Sequence, residues 1–199
     1  LRRWQPRMVT ISEVGSVPCP ASEKFVFSPS MNSVGKVKFS VWAHQQLYLD
    51  TPVAAIDGAP GAWRLNCGES FSGPFEHVVL AVPAPQALAL LPSHADFAGR
   101  VQGVQMLGCH TLMLGYLPQN DIAADWHCAF FDDALLGFAA FNSHKPDRSG
   151  GTSLVVQTRH DWSQAHIEDA MEEVAELIAH SFKNLTGLSP AADGYYWLH

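Results

Sequence analysis

Near the C-terminal end, Ile167, Ala170, Met171, Val174, Leu177, Ile178, Ser181 and Leu185 recur at helical spacing, while Glu168, Asp169, Glu172, Glu173 and Glu176 take the opposite side. A helix with one apolar stripe has to bury that stripe, and this single requirement restricts the fold more than any other feature of the chain. The helix is expected from about Ser163 to Thr186, with Asp161 or Ser163 capping its start and Gly187 ending it.

The segments ahead of the helix read as strands. Residues 104–117, 127–131, 135–141 and 153–159 are apolar or alternating runs, joined by short or turn-rich connections at 118–125 and 145–151. Such connections favour antiparallel pairing, so these strands are expected to form the sheet that covers the stripe. Earlier in the chain, residues 47–56, 62–67 and 77–82 read as a three-stranded β-meander, separated by Gly-rich and Pro-rich runs at 57–61 and 68–74. Pro83 and Pro85 stop its last strand, and a short helix is expected from there to Leu91. Residues 8–14 and 25–28 read as short strands. Between 31 and 46, Met31, Val34, Val37 and Val41 fit a helix, while Val37, Phe39 and Val41 alternating with Lys36, Lys38 and Ser40 fit a strand. The expected class is α+β: a mixed, largely antiparallel sheet packed on a long helix, plus the meander.

A chain of 199 residues that is 47% hydrophobic and 16% charged can bury one substantial core or two small ones. Its net charge of -7, with no basic stripe, repels phosphate backbones and excludes nucleic acid as an expected partner. No apolar run approaches the ~18 residues of a membrane span, and no charged-then-apolar leader is present. The cysteines at 19, 67, 109 and 128 lack paired spacing, so a reducing cytoplasm is the expected setting and the Asn184-Leu185-Thr186 sequon carries little weight. The chain opens on Leu1, which is expected of a fragment.

Signatures of catalysis are missing from these residues: no G-x-G-x-x-G, P-loop, G-x-S-x-G, H-E-x-x-H or C-x-x-C occurs. The pairs Cys109-His110 and His127-Cys128 lie in strand candidates, where neighbours point to opposite faces, so each offers one ligand to a given ion and no zinc site is expected. Ten histidines permit Ser-His-Asp combinations on paper, but without a nucleophile motif these are background. The informative stretch is residues 77–87, an apolar run entering a proline-stiffened turn and a short helix. That shape lets backbone approach a ligand closely.

Several stretches carry a resemblance in a fixed order: Trp4-Gln5-Pro6-Arg7, Thr51-Pro52-Val53-Ala54-Ala55-Ile56, Trp63-Arg64-Leu65, and Val78 through Gln86. Cys109-His110-Thr111-Leu112-Met113-Leu114, Asn142 through Arg148, Asp161-Trp162-Ser163 and Leu185-Thr186-Gly187 follow. In this order they resemble the internal part of renalase-like FAD-dependent amine oxidoreductases, over nearly the whole chain. The resemblance implies residues 1–30 as a substrate-domain segment, 31–92 as part of an FAD-binding domain, 93–190 as the substrate-binding domain, and 191–199 as the return to the FAD domain. It implies a flavin oxidase that takes a hydride from an amine or a dihydronicotinamide and passes electrons to oxygen. Val53, Ala81, Val82 and Pro83 would contact FAD through their backbones, while His110 and Asn142 would roof a small-molecule substrate.

The family's N-terminal Gly-rich βαβ unit and its C-terminal flavin segment have no counterpart in these residues. The chain alone is therefore expected to be inactive, to bind no FAD, and to self-associate through an exposed meander. A non-catalytic binding or assembly module and a flavin hydroxylase of related topology are the alternatives. Flavin in the protein from the full reading frame separates the first, and oxygenated aromatic products the second.

Overall fold

The computed structural model describes residues 1–20, 22–35, 46–68, 70–92, 94–116, 122, 124–188 and 196–198. The ambiguous stretch between 31 and 46 lies largely outside them, as do most of the 118–125 connection and of residues 191–199. The chain divides into two units, one of residues 1–43 with 107–199 and the other of residues 44–106.

The larger unit carries a seven-stranded sheet. In chain order its members are β2 (Met8–Ser12), β3 (Gly15–Pro18), β8 (Thr111–Gly115), β9 (Cys128–Phe131), β10 (Leu136–Phe141), β11 (Ser153–Thr158) and β12 (Tyr196–Leu198). Across the sheet they run β12-β8-β11-β10-β9-β2-β3. Every pair is antiparallel except β2 with β9, where the N-terminal hairpin lies parallel to a strand more than a hundred residues later. A separate pair, β1 (Arg2–Trp4) with β4 (Lys24–Val26), completes the strands of this unit. The expected α+β class, with a largely antiparallel sheet on a helix, is what the chain forms.

The helix is in two pieces. Helix α3 (His160–Ala165) and helix α4 (Met171–Thr186) replace the single helix expected from Ser163. The break has a local cause. His166 leaves helical geometry at φ -117°, ψ 20°, stacks its ring on Trp162 at 4.1 Å, and its Nδ1 lies 2.6 Å from Asp169 Oδ2. Neither Asp161 nor Ser163 caps α4; Ala170 precedes it without a side-chain cap, and Glu172 and Glu173 in its first turn complement the helix dipole. Gly187 ends it in the left-handed conformation at φ 72°, donating to Lys183 O.

Val174, Ala175, Ile178 and Phe182 of α4 are buried with Leu112, Leu114, Leu154, Val156, Phe141 and Ile11 of the sheet in one core. Ile167, Met171 and Leu177, counted in the stripe by spacing, are exposed instead. The strand expected over 104–117 begins only at Thr111, since residues 104–110 form no ladder.

The smaller unit contains the meander β5 (Ala55–Asp57), β6 (Trp63–Asn66) and β7 (Phe71–Phe75), followed by α1 (Ala84–Leu90) and α2 (Ala98–Gln102). Two expectations are corrected here. The first strand is far shorter than residues 47–56. The third is Phe71–Phe75, in the run read as a turn, and not residues 77–82. Gly73 explains the misreading: at φ 131° it lets β7 pass so close to β6 that a Cβ would sit 2.6 Å from Trp63 O. Residues 77–82 are apolar enough for a strand but join no ladder among the described residues. Helix α2 is not among the elements expected from the sequence. Among the described residues, no helix is long and apolar enough to cross a membrane.

Candidate functional site

Side chains alternate across a sheet, so a strand that gives Leu154, Val156 and Thr158 to the helix-covered core turns Ser153, Val155 and Gln157 to the other face. The register then builds a row across four strands: Phe130 opposite Phe138, Phe138 opposite Gln157, and Gln157 opposite Thr111. The Phe130 and Phe138 rings sit 5.4 Å apart, and Gln157 Nε2 donates to Thr111 Oγ1 at 3.5 Å. Phe130 is exposed.

This row lies beside an open hollow of about 980 Å³, which Phe130, Phe138, Gln157 and Cys109 line. At its rim stands the Arg159–Asp161 pair, two-pronged at 3.1 and 2.9 Å, which holds the exposed Asp161 carboxyl below its ordinary range. His160 Nδ1 lies 3.1 Å from Gly108 O. A carbonyl only accepts, so Nδ1 carries the proton and the neutral ring keeps a lone pair on Nε2. An apolar, partly aromatic floor with a few polar groups at one edge suits a small organic ligand.

The site residues expected from resemblance fall elsewhere on this frame. His110 precedes β8, next to Thr158: its N–H reaches Thr158 Oγ1 at 3.1 Å, and its Nε2 donates to His166 O at 3.3 Å. Asn142 follows β10, with its N–H on Ser153 O at 2.8 Å and its Oδ1 accepting from Lys145 Nζ at 3.3 Å. The two therefore flank opposite ends of β11, whose ends lie about 17 Å apart at the usual rise of a strand, and stand on opposite sides of it. Asn142 borders a second recess of about 450 Å³ with Met113, Ser153 and Val155, on the sheet face turned away from α4.

A polar corner forms where the loop after β10 meets β9 and β1. Lys145 Nζ stands 6.0 Å over the Trp4 ring; burial and then Arg148 hold its pKa below the usual lysine value. Burial pushes the neighbouring Cys128 thiol up to about 11. Asp147 pins the loop, accepting from Ser28 Oγ at 2.9 Å and Arg2 Nε at 2.8 Å; these hydrogen bonds lower its pKa. His127 and His144 meet edge to face at 4.8 Å. Among the described residues no group of three His, Cys, Asp or Glu side chains is placed to hold a metal ion. In the two adjacent pairs, His110 Nε2 and His127 Nδ1 are already in hydrogen bonds.

In the smaller unit, Val53 is half-buried and borders a hollow with Leu65, Ser72 and Gly73. Ala81, Val82 and Pro83 are exposed, and Pro83 O accepts from Ala87 N at the start of α1. Just before them Val78 and Leu80 turn into a different hollow, while Val79 is 88% exposed. Val53 and the Val78–Leu80 pair thus border different hollows of this unit.

Sequence reasoning missed Phe130, Phe138, Gln157 and His160. The available signal was that β9 and β10 are apolar on both faces, which asks what covers the second.

The sequence matches no protein-family model. The fold is nonetheless shared with oxidase structures. A provisionally assigned protoporphyrinogen oxidase from Exiguobacterium sp. 255-15 superposes over 85% of this chain with a TM-score of 0.62 at 16% identity. A double mutant of putrescine oxidase, from work on redesigning its cofactor binding, gives the same coverage, score and identity. A single mutant of putrescine oxidase covers 94% of the chain with a TM-score of 0.65 at 14% identity. The chain spans only 38 to 40% of the length of those proteins.

Proposed function

We propose that this chain is the substrate-binding part, with a portion of the cofactor domain, of an FAD-dependent oxidoreductase of the renalase-like type, acting on an amine or a dihydronicotinamide. The observation that carries the reading is the fold shared with a protoporphyrinogen oxidase and putrescine oxidase over 85 to 94% of the chain. The order of stretches resembling renalase-like enzymes, from Trp4-Gln5-Pro6-Arg7 to Leu185-Thr186-Gly187, supports the narrower assignment.

The residues present fit part of an FAD site. Residues 77–82 form a largely apolar segment that joins no ladder among the described residues and runs into a proline-started helix. This is backbone that a cofactor or an adjoining sheet can cover. Val53 and Ala81 to Pro83 would hold the cofactor through their backbones. No glycine-rich turn for a pyrophosphate occurs in these residues. FAD, when bound, supplies the acceptor for a hydride.

The protein's own part is to bind, orient and shield. Phe130 and Phe138 give the substrate an apolar surface that excludes water; Gln157 and Thr111 orient it by hydrogen bonds; His160 Nε2 can accept a proton from a substrate nitrogen. Exposed Leu49, Val79 and Val82 suit self-association of the chain.

Purifying the protein from the full reading frame tests the assignment. The expected product is yellow, with a flavin absorbance band, and releases hydrogen peroxide with an amine or a dihydronicotinamide, while the 199-residue chain is colourless. A colourless full-length protein would end the flavoenzyme reading, and oxygenated aromatic products would replace it with a hydroxylase.

A further inference from the structure

Trp63, at the start of β6, and His94, beyond α1, hold their rings 7° from parallel with centroids 6.3 Å apart. Both border a hollow of about 420 Å³ in the smaller unit, with Ile56, Val78 and Leu80 as its apolar lining and Asp96 at its edge. Among the described residues no lysine or arginine lines it. We propose that this hollow binds a planar aromatic cation, stacked against the Trp63 and His94 faces with its charge toward Asp96.

The argument has three independent parts. The nearly parallel Trp63 and His94 rings both line the hollow, so a flat ligand in it can lie against an aromatic face at the ~3.5 Å contact distance of carbon atoms. The His94 side chain is exposed and can turn to uncover the indole face. The indole face carries the negative part of the ring quadrupole and attracts a cation. Among the described residues the lining offers one carboxylate, the imidazoles of His77 and His94, and no guanidinium or ammonium, so phosphorylated or carboxylated rings meet no permanent counter-charge. The volume of about 420 Å³ suits a ligand of one or two fused rings.

The assignment does not rest on the flavin reading, because neither Val53 nor Ala81 to Pro83 lines this hollow. The probe is N-methylquinolinium, titrated into the 199-residue chain by calorimetry, with the indole N–H signal lost in Trp63→Phe identifying the reporter in NMR. Saturable binding is expected with a Kd below about 1 mM. Trp63→Leu and His94→Ala should each weaken it about tenfold, and Trp63→Phe only slightly. Asp96→Asn should weaken the cation about fivefold while leaving uncharged quinoline unchanged. Absence of saturation, the same Kd in Trp63→Leu and His94→Ala, or adenosine monophosphate binding as tightly as the cation would each overturn the proposal. Should Trp63→Leu fail to fold by circular dichroism, the His94→Ala and Asp96→Asn pair decides it.

Discussion

Ser163 Oγ lies 2.6 Å from Thr158 Oγ1, and both side chains are buried where strand β11 passes the chain to helix α3. Ser163 Oγ also reaches Arg159 O at 2.7 Å, Thr158 Oγ1 reaches His110 O at 3.2 Å, and His110 N–H lies within 3.3 Å of both hydroxyls. The pair knits the starts of β8 and α3 to the end of β11, which sets the rim of the open hollow. Ser163→Ala should therefore cost about 1 to 3 kcal/mol, the range for leaving buried partners unsatisfied. In urea unfolding the midpoint should fall with an unchanged slope. A midpoint equal to that of the wild type would show the network to be dispensable.

Gly73 and Gly61 separate two reasons for glycine. Both have positive φ, 131° and 87°, but only at Gly73 does an added Cβ collide with backbone, 2.6 Å from Trp63 O. Gly61→Ala should cost about 1 kcal/mol, for conformation alone. Gly73→Ala should cost about 2 kcal/mol or more. Hydrogen exchange at the Trp63–Asn66 amides is the measurement, and equal protection in the two variants would contradict the close approach of β6 and β7.

Alternation and apolar runs made β9, β10 and β11 legible to within a residue or two, because their neighbours in space are hairpin partners near in sequence. Gly187 was equally legible as a helix end. What stayed hidden depends on contacts that local pattern does not encode. The parallel docking of β2 on β9 joins residues about 120 apart, and β7 carries the Gly-Pro composition of a turn. Residues 77–82 carry the composition of a strand without a described partner. At the site, pattern picked His110 and Asn142 through resemblance, whereas the row Phe130, Phe138, Gln157, Thr111 exists only once the register is known.

Val174 and Leu177 test which side of α4 is core. Val174 is fully buried and Leu177 is 48% exposed, although both fit the apolar spacing. Val174→Asp places an unpaired charge against the sheet and should cost on the order of 3 kcal/mol. Leu177→Asp should stay within about 0.5 kcal/mol of the wild type. Thermal melts of the two variants give the comparison, and similar losses in both would mean that α4 packs on a different side.

His127 gives the molecule an acid sensitivity whose sign follows from its surroundings. Its Nδ1 accepts the Arg7 backbone N–H at 3.2 Å, so the neutral ring carries its proton on Nε2 and a second proton would face a donor. Burial first, then His144 and Arg7, hold the His127 pKa below the ordinary 6.5. Burial and then Arg7 act in the same direction on His144, which stacks on Phe141 at 4.8 Å. The unfolded chain therefore binds protons more readily than the folded one as pH falls through the ordinary imidazole range. Stability is full above that range, declines as pH drops through it, and levels off once the folded imidazoles are themselves protonated. The melting temperature of the wild type should fall between about pH 7.5 and pH 5. His127→Asn, whose Oδ1 can still accept from Arg7, and His144→Phe, which keeps the stack on Phe141, should each flatten that fall, and the double variant should flatten it further. If both single variants follow the wild-type curve, the corner contributes nothing to acid sensitivity and the proton uptake lies with other histidines.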